Sequence, residues 1–282
     1  MADTASLGLK VRGKVIVITG GARGIGLATA TALHNLGAKV AIGDVDEVKV
    51  KESGAALGLD VYGKLDVTER NSFSEFLDTV ERQLGPIDVL VNNAGIMPLG
   101  RVGDEPDSVT RRVLDINVFG VILGTKLAIE RMVPRKRGHV INVASLAGET
   151  YVPGAATYCA SKHAVVGFTD AARIEYRSTG VKFSLVMPTF VKTELIAGTS
   201  GAKGIQNAEP SDVADAIVGL VGHPKPRARV TKMAGAIIAS QKFLPRPVAE
   251  GISRLLGGEQ VFTDDVDFEK RKAYESRARG EE

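Results

Sequence analysis

The segment Lys14–Gly26, which reads KVIVITGGARGIG, decides the fold of this chain. Its first part, Lys14–Thr19, is apolar through its centre, which predicts a strand buried on both faces. Glycines follow in the spacing G-x-x-x-G-x-G, and a helix-periodic stretch, Gly24–Leu36, comes next. Glycines at such a turn let the backbone approach a pyrophosphate at the helix N-terminus. We therefore predict a nucleotide phosphate site made by Gly20, Arg23, Gly24, Ile25 and Gly26, with a merely tight turn as the alternative.

Beyond this segment, the chain alternates between short apolar runs and longer helix-periodic stretches. The further predicted strands are Ala38–Gly43, Val61–Leu65, Ile87–Val91, His139–Val143 and Val181–Val186. The predicted helices between them are Glu47–Leu57, Thr68–Leu84, Ser108–Val133 and Ala155–Arg177. Strands separated by helices pair in parallel through right-handed crossovers, with helices on both faces. The alternation predicts a doubly wound parallel sheet in a three-layer α/β/α arrangement.

The chain is predicted to form one domain with two extensions. Residues 1–13 are an N-terminal extension, and residues 14–232 form the domain, which includes a mobile substrate loop at 189–207. Residues 233–282 form a C-terminal extension that packs on the domain or on a partner subunit. Because its last part, Phe268–Glu282, is highly charged, we expect that end to be frayed.

The composition excludes several classes of protein. The net charge of +3 is small for 282 residues, and there is no tryptophan, so we expect no nucleic-acid partner. Cys159 is the only cysteine, which fits a reducing compartment. No apolar run approaches the roughly 18 residues of a membrane span. The four histidines lack metal-ligand spacing, so no metal is predicted. These features predict a cytoplasmic protein.

Polar residues at the ends of the second and third strands extend the predicted nucleotide site. Asp44 ends the second strand, where a carboxylate accepts hydrogen bonds from an adenosine ribose diol and repels a 2′-phosphate. Asp44 therefore favours NAD over NADP, although Arg23 in the glycine turn would attract that phosphate. Asp66 and Val67 follow the third strand and are candidates for the adenine edge, with a solvated strand end as the alternative.

The fourth strand is followed by Asn92–Gly95, which reads NNAG. Amide side chains at this position can brace neighbouring strand ends, and small residues leave room for a flat cofactor. Asn93, Ala94 and Gly95 are therefore further candidates for cofactor binding.

Tyr158 and Lys162 are four residues apart in a predicted helix and therefore share one of its faces. A phenol, with a pKa of about 10, is a poor base at neutral pH, and a nearby positive charge favours its ionised form. By itself, this spacing is common on solvated helix faces. Ser145 lies thirteen residues upstream of the tyrosine. Asn117 lies within a predicted helix, where it marks a kink, a bound water or a plain surface position.

Together, the glycine turn, Asn92–Gly95, Asn117, Ser145 and Tyr158-x-x-x-Lys162 resemble the short-chain dehydrogenase/reductase family in order and spacing. The resemblance runs from about Lys14 to Leu195. It implies a Rossmann-type single domain, a homodimer or homotetramer, and nicotinamide-dependent oxidation of an alcohol or reduction of a carbonyl.

The resemblance also implies a role for each of four catalytic residues. Tyr158 would be the general acid/base, and Lys162 would lower its pKa and bind the nicotinamide ribose. Ser145 would stabilise charge on the substrate oxygen. Asn117 would hold a water that links Lys162 to a proton relay.

The segment after the sixth strand departs from the family pattern. Family members begin this segment with Pro-Gly, whereas Thr189 follows Pro188 here. The retained residues Pro188, Val191 and Thr193 are candidates for cofactor binding. Because Thr189 has a Cβ atom, we expect either a different local backbone or some strain.

Apolar residues near this segment predict a hydrophobic secondary alcohol or ketone as substrate, such as a steroid, retinoid or lipid-like compound. The candidate wall residues are Met97, Pro98, Leu146, Tyr151, Val152, Phe190, Leu195 and Ile196. One alternative is a non-catalytic nucleotide-binding scaffold or redox sensor, which would be expected to lose at least one catalytic residue. Another is an epimerase or dehydratase of nucleotide sugars, which usually needs a larger C-terminal domain.

Overall fold

Seven parallel strands form a single sheet in the computed structural model, which describes residues 4–199, 207–231, 247–248, 251, 262–263 and 266–281. The strands are β1 (Val15–Thr19), β2 (Lys39–Asp44), β3 (Val61–Lys64), β4 (Val89–Asn92), β5 (Gly138–Val143), β6 (Val181–Met187) and β7 (Arg227–Arg229). Their order is β3-β2-β1-β4-β5-β6-β7. β1 lies centrally, where Val17 pairs with Ala41 of β2 and Leu90 of β4. From β1, the strands β2 and β3 are added toward one edge of the sheet, whereas β4 to β7 are added toward the other edge. The boundary between β1 and β4 is therefore a topological switch point, where a crevice opens at the carboxyl ends of the strands.

Helices cover both faces of the sheet. They are α1 (Thr4–Val11), α2 (Gly24–Asn35), α3 (Glu47–Ala56), α4 (Arg70–Leu84), α5 (Asp107–Leu114), α6 (Gly120–Met132), α7 (Ala156–Glu175), α8 (Pro210–Gly222) and α9 (Phe268–Arg279). Successive residues of β1 point to opposite faces. Ile18 packs with Leu33 of α2 and Ile217 of α8, whereas Val17 packs with Phe73 and Leu127 on the other side. The predicted three-layer, doubly wound fold is confirmed.

The long helix predicted for Ser108–Val133 is interrupted. A π-helical turn, Asp115–Phe119, separates α5 from α6 and contains the fully buried Asn117. The amide oxygen of Asn117 accepts from the Ile96 amide at 2.9 Å, and its amide nitrogen donates to the Ile96 carbonyl at 2.9 Å. Of the alternatives for Asn117, the plain surface position is wrong, and the two bonds tie the π-helical turn to the segment after β4.

The prediction that the charged C-terminus is frayed is wrong, because Phe268–Arg279 forms α9 with several buried side chains. Glu275 pairs with Arg271 and with Arg279, each four residues away on the same helix face. Of residues 232–265, the structure describes only 247–248, 251 and 262–263, so most of the predicted extension lies outside the described residues. The same holds for residues 200–206 of the predicted loop.

The N-terminal segment belongs to the folded core. Helix α1 packs against α8, and Val11 is fully buried within the same cluster as Ile18. Within the parts of the chain that the structure describes, no helix is both long and apolar enough to cross a membrane.

Candidate active site

A cavity of about 1000 Å³ opens at the carboxyl ends of the strands. The predicted residues on its wall are Gly20, Arg23, Gly24, Ile25, Asp44, Asp66, Val67, Asn93, Ala94, Gly95, Ser145, Tyr158, Lys162, Pro188, Val191 and Thr193. Two predicted residues, Gly26 and Asn117, lie behind the wall rather than on it. The structure therefore brings together in one space residues that are up to 173 positions apart in the chain.

The glycine turn packs so closely against the protein that side chains would not fit at two of its positions. Gly20 has a φ of +65°, and a Cβ there would lie 2.8 Å from the Cα of Ala94. A Cβ on Gly26 would lie 2.1 Å from the carbonyl oxygen of Gly20. Gly26 therefore serves close packing of α2 against the turn. The turn and the start of α2 form a cradle that fits the pyrophosphate of a dinucleotide.

Asp44 holds the glycine turn as well as facing the cavity. Its Oδ2 accepts from the Ala22 amide and its Oδ1 from the Asp46 amide, each at 3.1 Å. Burial is the largest influence on its pKa, which is raised despite these two bonds. Arg23 forms an ion pair with Asp46 and lies 3.6 Å from a carboxylate oxygen of Glu194. The cation of the glycine turn is thus engaged by acidic side chains.

Amide side chains brace the strand ends as predicted. The Asn93 side-chain nitrogen donates to the carbonyls of Thr19, at 2.9 Å, and Gly20, at 3.0 Å. The Asn92 side-chain nitrogen donates to the Asn142 side-chain oxygen at 2.9 Å. These bonds join the ends of β1, β4 and β5, so the floor of the cavity is rigid.

Asp66 accepts hydrogen bonds within the turn that follows β3. Its Oδ1 accepts from the amide of Thr68 at 2.9 Å and from the hydroxyl of Thr68 at 2.7 Å. Asp66 and Val67 both line the cavity. Adenine recognition by these two residues remains a prediction.

Tyr158 and Lys162 project from the same face of α7. The Lys162 ammonium lies 5.5 Å from the centroid of the Tyr158 ring and donates to the Val143 carbonyl at 3.0 Å. The lysine is only 4% exposed, and burial lowers its pKa from 10.5 to about 8. Lys162 therefore remains mostly protonated at neutral pH, and the burial of this charge lowers the free energy of unfolding.

The expectation that the pKa of Tyr158 is lowered is not met in this structure. Burial raises the pKa of the phenol to about 12, and a hydrogen bond with the Ser145 side chain only partly opposes this rise. Tyr158 is therefore a proton donor at neutral pH. To act as a base it needs positive charge beside the phenolate, and Lys162 is the cation placed to supply it.

Ser145 directly follows β5 and faces Tyr158. Its hydroxyl accepts from the Ala147 amide at 3.1 Å and donates to the Pro188 carbonyl at 3.3 Å. Asn117 donates its amide protons to the Ile96 carbonyl and, at 3.1 Å, to the hydroxyl of Ser161. Both amide protons of Asn117 are therefore used, and its predicted water remains a prediction.

Thr189 fits after β6 without a left-handed backbone. Among the described residues other than glycine, only Lys136 and Thr231 have a positive φ. The Thr189 hydroxyl hydrogen-bonds the amide of Phe190. The replacement of the family's glycine predicted either a different local backbone or strain. The structure shows no strain from a left-handed backbone at Thr189.

Most of the apolar residues that were predicted to contact the substrate line the cavity. Of the predicted wall residues, Met97, Leu146, Tyr151, Val152, Phe190, Leu195 and Ile196 line it, whereas Pro98 does not. The sequence analysis missed Phe262, Tyr274 and Arg277–Gly280, which also contribute to the wall. The signal available for α9 was the spacing of Arg271, Glu275 and Arg279, which places opposite charges one turn apart.

The described residues provide neither a metal site nor a reactive thiol in this cavity. They contain no group of three or more His, Cys, Asp and Glu side chains that could hold a metal ion. Cys159 is buried, and burial raises the pKa of its thiol, so it stays protonated. Tyr158, Lys162 and Ser145 remain the candidates for the chemistry of this site.

The fold and the cavity define an α/β protein of the dinucleotide-binding class. The profile of the short chain dehydrogenase family matches residues 14–203. The chain therefore belongs to the short-chain dehydrogenase/reductase family.

Individual relatives agree with this assignment. The chain is 32% identical over 256 residues to the probable oxidoreductase EphD of Mycobacterium tuberculosis, covering 82% of this chain but 43% of EphD, so it spans less than half of that relative. It is 34% identical over 227 residues to cyclopentanol dehydrogenase of Comamonas testosteroni, covering 75% of this chain and 91% of that protein. A crystal structure of a family member from Burkholderia phymatum in complex with NAD has a TM-score of 0.76 at 25% identity, covering 83% of this chain and 94% of the other.

Proposed function

We propose that this protein transfers a hydride between NAD(H) and a hydrophobic secondary alcohol or ketone. The observation that carries the proposal is the convergence of Ser145, Tyr158 and Lys162 on one cavity that is apolar at its outer end. A bound nicotinamide supplies or accepts the hydride. The chain itself supplies the proton, the orientation and the electrostatic environment.

The proton path follows from the protonation states of the two residues on α7. In the reductive direction, Tyr158 donates its phenolic proton to the substrate oxygen as the carbonyl becomes an alkoxide. The Ser145 hydroxyl turns from the Pro188 carbonyl to donate a hydrogen bond to the same oxygen, and protonated Lys162 stabilises the tyrosinate that remains. In the oxidative direction, the tyrosinate takes up the hydroxyl proton.

The preference for NAD over NADP is supported by the charges at the adenosine end. Asp44 places a carboxylate at the end of β2, where it would repel a 2′-phosphate. The cation that could attract that phosphate, Arg23, is engaged with Asp46 and Glu194. NADP is therefore the less favoured cofactor.

The substrate class is supported by the wall and by one relative. Met97, Phe190, Leu195 and Phe262 belong to a single apolar cluster at the outer end of the cavity. Cyclopentanol dehydrogenase, by its name, acts on a compact apolar secondary alcohol. We extend the substrate class to steroid-, retinoid- or lipid-like alcohols. The cavity of about 1000 Å³ would hold such a substrate beside the cofactor.

A homodimer or homotetramer is part of the same proposal. Leu114 and Phe119, which flank Asn117 on the outside of the domain, are 40% and 47% exposed. Large apolar side chains at neighbouring surface positions support a subunit contact along α5 and α6.

The test is the substitution Tyr158→Phe, measured by NADH fluorescence on a panel of hydrophobic secondary alcohols. We expect turnover to fall by at least about a thousandfold, because the proton donor is removed, while NADH affinity stays nearly unchanged. Tyr176→Phe is the matched control, since that ring packs against Phe183 and does not line the cavity. Tight NAD binding without any wild-type turnover would instead favour the non-catalytic scaffold, and near-normal activity of Tyr158→Phe would remove the assigned acid.

A further inference from the structure

Helix α9 joins the two walls of the substrate end through a buried cation. Arg271 is fully buried and donates to the Met97 carbonyl at 2.5 Å and to the Leu195 carbonyl at 2.6 Å. A third bond reaches the Ala197 carbonyl at 3.2 Å. Met97 follows β4, whereas Leu195 and Ala197 follow β6, so one guanidinium connects both sides of the cavity.

A carboxylate completes this connection. Glu275 accepts from the Leu99 amide at 3.1 Å and from Nε of Arg271 at 2.5 Å, and its second oxygen accepts from Nε of Arg279 at 2.9 Å. The buried charges are therefore paired and hydrogen-bonded, which is the condition under which a protein tolerates them. This network fixes the position of α9 against the cavity.

Tyr274 is the residue that α9 presents to the cavity within this network. It is 8% exposed, lines the cavity together with Tyr158, and lies under the Arg271 guanidinium at 4.7 Å from its ring centroid. Its hydroxyl accepts from the Met97 amide at 2.7 Å. The phenolic oxygen is therefore held in place by a backbone donor.

The Tyr274 hydroxyl accepts one hydrogen bond but donates none to the residues that the structure describes. Burial raises its pKa more than the Met97 hydrogen bond and the Arg271 charge lower it, so the hydroxyl keeps its proton. A buried donor without an acceptor is unfavourable, and a ligand that supplies the acceptor removes this penalty.

We propose that Tyr274 is a specificity-determining residue that donates a hydrogen bond to a second oxygen of the substrate, remote from the oxygen that reacts. This inference rests on the proposed function, because it assumes that the alcohol or ketone binds beside Tyr158. It narrows the substrate class to apolar secondary alcohols and ketones that carry a further carbonyl, ether or ester oxygen. A donor fixed in the cavity wall discriminates against compounds that leave it unpaired.

The experiment uses probes that differ only in such an oxygen. Cyclohexanol is compared with tetrahydropyran-3-ol and tetrahydropyran-4-ol, and a 3-hydroxysteroid is compared with its 17-ketone analogue. For at least one pair, wild-type kcat/KM should be about tenfold higher for the oxygenated member. Tyr274→Phe should remove that preference, so that the ratio of the two kcat/KM values falls to about one. Tyr176→Phe is the matched control and should keep the preference.

The design separates a role in recognition from a merely structural one. Tyr274→Phe also leaves the Met97 amide without its acceptor, but that loss affects both members of a pair equally and cancels in their ratio. Equal wild-type activity on both members of every pair would overturn the role of Tyr274 while leaving the proposed function intact, and it requires no variant to fold. A ratio that persists in Tyr274→Phe would also overturn it. Failure of the wild type to oxidise any probe would overturn both proposals.

Discussion

Replacing Lys162 by methionine should make the cofactor-free protein more stable while removing its turnover. The lysine is buried beside Tyr158, and the only hydrogen bond of its ammonium to a described residue is to the Val143 carbonyl. Burial lowers its pKa from 10.5 to about 8, which means that the folded protein holds this charge less readily than the unfolded chain does. The charge that the proposed function requires is therefore kept at the expense of stability.

The size of the effect follows from that shift. At about 1.4 kcal/mol per pH unit, a drop from 10.5 to about 8 corresponds to about 3 kcal/mol at neutral pH. Methionine has a similar length and no charge, but it leaves the Val143 carbonyl without its donor, which costs about 1 kcal/mol. We expect Lys162→Met to raise the free energy of unfolding by about 2 kcal/mol.

The assay is urea unfolding of the cofactor-free protein, followed by circular dichroism at neutral pH. Between about pH 8 and pH 10.5, the unfolded chain holds a proton at this position that the folded protein has released, so wild-type stability should rise with pH across this window. Lys162→Met should lack this rise. Lys182→Met, which changes an exposed lysine of β6, should shift stability by less than about 0.5 kcal/mol. A Lys162→Met protein that is less stable than wild type, or that keeps the pH dependence, would refute the reasoning.

Two further predictions concern Asp44 and His139. Asp44→Ala should lower the ratio of kcat/KM with NAD to that with NADP by at least about tenfold, since the loss of about 1.4 kcal/mol of repulsion suffices. Steady-state kinetics measure this ratio, with Asp60→Ala as a control at an exposed position. An unchanged ratio would mean that another group recognises the ribose. His139 donates to or accepts from the Ser184 hydroxyl at 2.8 Å, its Nδ1 is buried without a partner, and burial lowers its pKa from 6.5 to about 3. Because the folded pKa lies below the unfolded one, its contribution to stability is complete above about pH 6.5 and is lost as the pH falls toward 3, with about 2 kcal/mol lost by about pH 5. His139→Gln should flatten this acid-side loss in urea unfolding, and an equally steep loss in the variant would contradict the assignment.

The sequence was sufficient where the determining interactions are local or repetitive. The apolar centre of β1 and its alternation with helices predicted the layers, because a strand buried on both faces must be apolar throughout. Tyr158 and Lys162 could be placed side by side because residues four apart share a helix face. Asp44 could be placed at the cavity because it ends a strand whose neighbours all end at the same edge of the sheet.

The tertiary structure was needed where the outcome depends on residues distant in the chain. Gly26 was predicted to bind the cofactor, and only the folded chain shows that it does not line the cavity and that a Cβ there would meet the Gly20 carbonyl. Asn117 was recognised as unusual, yet only the folded chain shows that its amide is used by Ile96 and Ser161. Contacts of this kind depend on how the crossover connections bring distant elements together, and no local sequence pattern predicts that.

Charge is where the sequence and the folded protein differ most. The charged segment Phe268–Glu282 predicted a solvated end, whereas Arg271 and Glu275 are buried because Met97, Leu195 and Leu99 satisfy them from two other parts of the chain. The spacing of Tyr158 and Lys162 predicted a lowered phenol pKa, whereas burial raises it. The sequence alone determined the fold class and most of the residues that meet at the cavity. The tertiary structure decided their protonation and the closing of the substrate end by α9, because desolvation and hydrogen-bond pairing depend on what surrounds a group in space.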